Sequence, residues 1–93
     1  MATTHYVLID AYSGFVWGEA DAETPTEACR IVDEQVGGEA REYEDVTRLD
    51  GMSGYYVYEA PADWTEVTDG QSQGDIERVT ALPLVAAVAY RTA

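Results

Sequence analysis

One stretch decides the fold of this chain: TPTEACRIVDEQVG, from Thr24 to Gly37. A threonine followed three residues later by a glutamate forms a capping box, in which Thr24 and Glu27 satisfy the first free N–H groups of a helix. Pro25 stands at the first helical position, and Gly37 stands just past the last apolar residue, which is how many helices begin and end. The stretch therefore predicts a helix from Pro25 to Val36.

The predicted helix has one apolar side. At about 100° per residue the apolar positions form a single stripe, and the polar positions lie opposite it. The stripe consists of Ala28, Cys29, Val32 and Val36, with Ile31 at its edge; the opposite side carries Thr26, Glu27, Arg30, Asp33 and Glu34. Because a helix of roughly three turns is not stable alone, the flanking segments must supply a surface for this stripe.

The segment before the helix predicts a β-hairpin. His5 to Tyr12 and Phe15 to Ala22 alternate between two faces, as strands do, and the Ser13-Gly14 turn separates them. In the second strand one face is small, which suits a helix packed closely against it. That face carries Val16, Gly18, Ala20 and Ala22, and the other carries Phe15, Trp17, Glu19 and Asp21.

The segment after the helix predicts a second hairpin and a final strand. Asp45 to Asp50 and Tyr55 to Ala60 flank a glycine-containing turn, Asp75 to Leu82 predicts a short helical turn, and Leu84 to Tyr90 predicts an apolar last strand that we expect beside the first. Hairpin, helix, hairpin and strand make an α+β layout. The sequence predicts a single domain over residues 1–93, a mostly antiparallel sheet of about five strands, and one main helix on one face.

Net charge is the most unusual property of the composition. The chain has 18 acidic residues against 5 arginines, no lysine, and a net charge of −13. Such a chain repels nucleic acid and anionic membranes, so we expect basic protein surfaces as partners. No secretion signal is visible, and the longest apolar stretch, Leu82 to Ala89, is too short to span a membrane. These features predict a cytoplasmic protein, as a monomer or a homodimer.

Residue types for catalysis or for metal binding are scarce. We interpret the single cysteine, Cys29, as a small buried hydrophobic residue, and the single histidine, His5, as an ordinary residue at a strand end. Asp69 to Glu77 resembles the first nine positions of an EF-hand calcium loop, but Thr80 stands where the bidentate glutamate belongs. We expect a polar surface loop there, no cofactor, no metal site and no enzymatic activity.

The acidic residues form two rows, which are the candidate partner-binding residues. The first row is Glu19, Asp21, Glu23 and Glu27, and the second is Asp33, Glu34, Glu39, Glu42, Glu44 and Asp45. Rows of carboxylates can bind to a basic groove as a phosphate backbone does, because arginine binds both groups with similar bidentate geometry. Tyr56 and Trp64 are candidate aromatic contacts, since tyrosine and tryptophan are enriched at interface hot spots.

The two hairpins, the capped helix and the charge together resemble a class of small acidic inhibitors made by phages and mobile elements, the anti-CRISPR and anti-restriction proteins. The resemblance implies that the carboxylates bind a basic nucleic-acid-binding protein or complex of the host and occlude its groove, without direct contact to nucleic acid or membrane. The alternative is a non-enzymatic protein–protein interaction module, with aromatic contacts, whose acidity reflects solubility or a salt-adapted source.

Overall fold

The computed structural model describes residues 2–38 and 41–92. Its elements are β1 (Thr4–Asp10), β2 (Val16–Ala22), α1 (Pro25–Gln35), β3 (Arg41–Val46), β4 (Gly54–Ala60), α2 (Gln73–Thr80) and β5 (Leu84–Thr92). The strands form one antiparallel sheet in the order β2-β1-β4-β5-β3. The α+β class, the five-stranded sheet and the main helix on one face are confirmed.

The ends of α1 follow the local signals in the sequence. The Thr24 hydroxyl accepts a hydrogen bond from the Glu27 N–H at 3.1 Å, and Gly37 adopts a positive φ of 75°. The Glu27 carboxylate turns to Arg30 at 2.6 Å, so an ion pair replaces the return bond of the predicted capping box. The helix ends at Gln35, one residue before the predicted end, and leaves Val36 exposed.

The small face of β2 lets α1 approach the sheet closely. A Cβ atom placed on Gly18 would lie 2.6 Å from Cγ1 of Val32, closer than two such carbons can pack. Around this contact lies the main core cluster, which comprises Tyr6, Leu8, Ala20, Ala22, Ala28, Cys29, Val32, Tyr55, Val57 and Val88. The prediction that small residues on β2 face the helix is therefore confirmed for Gly18, Ala20 and Ala22.

A β-bulge corrects the predicted faces of β2. Leu8 pairs with Gly18 while Ile9 pairs with Val16, so Trp17 is the extra residue between two ladder positions. A bulge of this kind shifts the alternation of side chains by one residue. As a result Trp17 does not share a face with Glu19. It stacks on Tyr55, with 6.1 Å between the ring centroids, and its indole N–H donates to Asp33 of α1.

The second half of the sheet differs from the prediction in its pairing. β3 spans Arg41–Val46 instead of Asp45 to Asp50, and it pairs with β5, not with β4. The segment between β3 and β4 folds over the sheet, where Leu49 is buried against Ala87 and Ala89. No second hairpin forms, and β5 lies between β4 and β3, away from β1. The charged strand lies at the edge and the apolar strand in the interior, as solvation of charged side chains requires.

The opposite face of the sheet is partly covered by α2. Val79 of this helix packs against Val7 and Ile9 of β1. The predicted helical turn is thus confirmed with bounds Gln73–Thr80, and the Ser72 hydroxyl caps its start. Within residues 2–38 and 41–92, neither helix is long and apolar enough to cross a membrane.

The contact between Gly18 and Val32 yields a test of the packing. Val32→Ala should lower the free energy of unfolding by about 1–3 kcal/mol, because it removes buried methyl groups and leaves a cavity. Gly18→Ala should also destabilise, since its methyl group meets Val32. The double variant should be more stable than the sum of the two changes predicts, because the new methyl group enters the vacated space. Urea denaturation of all four proteins measures this coupling, and strictly additive effects would contradict the contact.

Candidate functional site

A buried carboxylate joins α1 to the sheet. Asp33 is only 4% exposed, yet its two oxygens accept hydrogen bonds from four side chains. At Oδ1 the donors are Trp17 Nε1 at 3.0 Å and the Tyr55 hydroxyl at 2.7 Å. At Oδ2 they are Arg41 Nη1 at 3.2 Å and the Tyr43 hydroxyl. We call Asp33 and these four donors the Asp33 cage.

The cage supplies both a counter-charge and neutral donors. Arg41 lies over the ring of Tyr90, 4.0 Å from its centroid, so the aromatic face also holds the guanidinium group. Burial, and then the hydrogen bonds to Asp33, raise the pKa of Tyr43 and of Tyr55. Both phenols therefore remain protonated hydrogen-bond donors to Asp33 at physiological pH. The arrangement satisfies the buried carboxylate of Asp33 with donors from three strands.

The position of Asp33 corrects the sequence prediction, which placed it on the exposed side of the helix as a partner-binding residue. It lies four residues after Cys29, which is one turn of the helix, and so it borders the buried stripe. Burial, followed by the charge of Asp33, raises the pKa of the Cys29 thiol to about 12. Cys29 itself is a buried hydrophobe, as predicted. The spacing from Cys29 was the available signal, but the donors that make burial possible come from distant strands.

His5 connects two of the predicted partner-binding carboxylates. Its Nε2 lies 2.6 Å from Glu19 Oε1, and its Nδ1 lies 2.7 Å from Asp21 Oδ1. The other oxygen of Glu19 accepts a hydrogen bond from the Val67 N–H at 2.9 Å. His5 is therefore a clasp between β1 and β2, and Glu19 extends that clasp to the segment before α2. His5 lies near the start of β1, as predicted, but its contacts with Glu19 and Asp21 depend on the pairing of β1 with β2 and were not predicted.

Carboxylates from four parts of the chain gather at one end of the sheet. Two adjoining depressions of about 440 and 510 Å³ share Thr3 and Asp21 in their walls. We use the name acidic rim for the carboxylates that line them, which are Asp21, Glu23, Glu27, Glu59 and Glu66. No arginine lines either depression. Three members of the first predicted row are thus joined by two carboxylates that sequence reasoning missed, because the fold alone brings them together.

The remaining predicted acidic residues do not form one continuous surface. Glu34 binds Arg30, Glu42 binds Arg91, and Asp45 accepts a hydrogen bond from the Thr26 hydroxyl. Glu44 is exposed on β3. Glu39 lies outside the described residues. The second row is therefore divided between the interior, the helix surface and an edge strand.

The two candidate aromatic contacts pack against the sheet. Tyr56 joins the cluster around Leu49, and Trp64 joins the cluster around Val79. The guanidinium group of Arg78 lies 4.4 Å from the ring centroid of Trp64, and Trp64 Nε1 is buried without a hydrogen-bond partner in the described structure. Neither ring is freely presented to a partner.

The segment that resembles an EF-hand loop has a different conformation. From Gln73 to Thr80 the chain is helical, and the Thr80 hydroxyl bonds to the carbonyl of Ile76 within that helix. The Asp69 carboxylate accepts a hydrogen bond from the Gln71 N–H and forms a local turn. Among the residues that the structure describes, no group of three or more histidine, cysteine, aspartate or glutamate side chains is arranged to hold a metal ion.

Comparison of the chain with protein-family models, with curated proteins and with solved structures finds no match.

The Asp33 cage predicts a large effect from a small chemical change. Asp33→Asn should lower the free energy of unfolding by about 3 kcal/mol or more, because it leaves Arg41 without its counter-charge and turns an amide N–H₂ toward donors. The neighbouring change Glu34→Gln, at an exposed position, should alter stability by less than about 0.5 kcal/mol. Urea denaturation followed by tryptophan fluorescence measures both. Equal effects of the two changes would contradict the cage.

The His5 clasp predicts a pH dependence of stability. Partial burial acts to lower the pKa of His5, but hydrogen bonds to Glu19 and Asp21 and their charges outweigh it and raise the pKa above 6.5. The stabilisation by His5 is then complete below about pH 6.5 and is lost as the pH rises through the folded-state pKa. His5→Gln should remove this component. Thermal melts of both proteins from pH 5 to 9 test it, and parallel curves would show that the clasp has no such role.

Proposed function

We propose that this protein is a non-enzymatic inhibitor that binds the basic nucleic-acid-binding surface of a host defence complex, in the host cytoplasm. The acidic rim is the observation that carries the proposal. It brings together carboxylates from the end of β2, the start of α1, the end of β4 and the segment that follows β4. A basic groove that binds a phosphate backbone can bind the negative charge of the acidic rim in its place.

The arginines of the chain leave most of the acidic rim without a positively charged partner. Each of the 5 arginines is already paired with a carboxylate. The pairs are Arg30 with Glu27 and Glu34, Arg41 with Asp33, Arg48 with Asp50, Arg78 with Asp75, and Arg91 with Glu42. Within the rim only Glu27 is paired with an arginine, and Asp21 contacts His5. Glu23, Glu59 and Glu66 therefore remain available to the lysine and arginine side chains of a partner.

Neighbouring carboxylates can take the place of phosphates as ligands of an arginine-rich groove. Asp21 near the end of β2 and Glu23 in the bend before α1 line the same depression. Arginine binds carboxylate and phosphate through the same pair of N–H donors, which gives both ligands a similar geometry. Electrostatic attraction between a chain of charge −13 and a basic groove also accelerates their encounter.

The second candidate function is a protein–protein interaction module whose acidity only maintains solubility. The observation that favours it lies at the opposite end of the sheet, where Tyr12 is 97% exposed and Phe15 and Met52 are partly exposed. The aromatic contacts of such a module would therefore be Tyr12 and Phe15, because Tyr56 and Trp64 pack against the sheet.

A displacement assay distinguishes the two functions. Labelled duplex DNA is bound to CRISPR effector complexes and restriction enzymes, and the protein is titrated in while fluorescence anisotropy reports the bound DNA. We expect release of DNA from at least one complex. The inhibition constant should rise steeply between about 50 and 300 mM salt, because the Debye length falls below about 10 Å in this range and screening weakens the attraction.

Two matched variants locate the surface. The rim variant Glu23→Gln, Glu59→Gln, Glu66→Gln should weaken displacement about tenfold or more, which corresponds to about 1.4 kcal/mol. The control variant Glu34→Gln, Asp69→Asn, Glu77→Gln changes the net charge equally and should have little effect. Equal weakening by both variants would reduce the effect to net charge and refute the rim. If Tyr12→Ala abolishes binding while the rim variant does not, the interaction module is the correct function.

A further inference from the structure

The outer edge of β3 is open along the part of the chain that the structure describes. On its inner side β3 pairs with β5, from Arg41 opposite Thr92 to Val46 opposite Ala87. Among the described residues, Arg41–Val46 makes no other backbone hydrogen bond. An edge strand of this kind leaves alternate N–H and C=O groups unpaired, and these groups can bind a further strand.

The other edge of the sheet is partly covered by the chain itself. The Val16 N–H donates to the Gly70 carbonyl at 2.9 Å, and the Val67 N–H donates to the Glu19 carboxylate at 2.9 Å. The approach is close, because a Cβ atom on Gly70 would lie 2.2 Å from the Val16 carbonyl oxygen. Segment 61–72 therefore shields β2, and β3 is the more accessible edge.

The side chains of β3 indicate which kind of strand fits there. Glu42 lies opposite Arg91, and the two side chains form an ion pair at 2.8 Å. Glu44 projects from the same face but lies opposite Ala89, an uncharged residue. A groove of about 610 Å³, whose walls include Met52, runs beside both glutamates. A cation opposite Glu44 on an added strand would repeat the Glu42–Arg91 pair on the outer side.

Charge disfavours the simplest occupant, a second copy of the same edge. Two antiparallel β3 strands paired about Tyr43 would place Glu42 of each copy opposite Glu44 of the other, and like charges directly opposite destabilise a strand pair. A strand with lysine or arginine at alternate positions has the complementary pattern.

We propose that the open edge of β3 binds an extended basic segment of a partner protein as an additional strand. Main-chain hydrogen bonds to Arg41–Val46 hold the segment, and a lysine or arginine pairs with Glu44. With 6 residues, β3 accommodates a segment about 20 Å long at 3.4 Å per residue. This edge is separate from the acidic rim, so the proposal does not depend on the proposed function.

A synthetic peptide of sequence KTKVKTKV tests the main-chain component. We expect it to bind the full chain in calorimetry and to slow hydrogen exchange of the amides in Arg41–Val46 but not in Val16–Ala22. The same peptide with N-methyl groups on alternate backbone nitrogens should bind at least tenfold more weakly, because it retains its charge and loses its hydrogen bonds. Equal binding of the methylated peptide, or slowed exchange only around the acidic rim, would overturn the proposal.

Substitution of Glu44 tests the choice of partner. Glu44→Gln should weaken binding of KTKVKTKV about two- to fivefold, the range of one exposed cross-strand ion pair. Glu44→Lys should weaken it further, because it places a cation opposite the cations of the peptide. Glu77→Gln, the same chemical change at an exposed position of α2 outside both proposed surfaces, is the matched control and should leave the affinity unchanged. If Glu77→Gln weakens the basic peptide as much as Glu44→Gln does, the peptide recognises net charge and the proposal fails.

Discussion

The structure depends on how one buried charge is satisfied. A carboxylate in the interior is strongly unfavourable unless hydrogen-bond donors and a counter-charge surround it. For Asp33 these groups come from three strands: Trp17 from β2, Arg41 and Tyr43 from β3, and Tyr55 from β4. The cage therefore determines the rotation of α1 about its axis and its position on the sheet, and it holds the edge strand β3 beneath the helix.

The cage also has a consequence for the surface. It engages the half-buried Arg41, and the other arginines pair with neighbouring carboxylates. The remaining acidic side chains have no arginine partner, and solvent, ions or a basic protein can relieve the repulsion among them. His5 reduces this repulsion locally, because it lies between Glu19 and Asp21. The acidic rim is thus the part of the excess charge that the fold concentrates at one end.

The two proposed binding surfaces use different physics. The acidic rim offers charge on a rigid frame, which favours fast and salt-sensitive association with a basic groove. The open edge of β3 offers backbone groups, which bind an extended segment through hydrogen bonds and choose it by the charge opposite Glu44. Both surfaces depend on the Asp33 cage, since it holds α1 at one margin of the rim and holds β3 against β5.

Local patterns were sufficient for the elements whose causes lie within a few residues. The cap of α1 at Thr24, the glycine that follows its end and the β1–β2 hairpin follow from side-chain and backbone geometry of this range, and alternation places Gly18, Ala20 and Ala22 on one face of β2. The partner of β3, the bulge at Trp17 and the burial of Asp33 were decided only by the tertiary structure. So was the acidic rim, of which the sequence showed one row. Each of these features depends on contacts between residues far apart in the chain, and a local pattern carries no information about which distant strand supplies a donor or a charge.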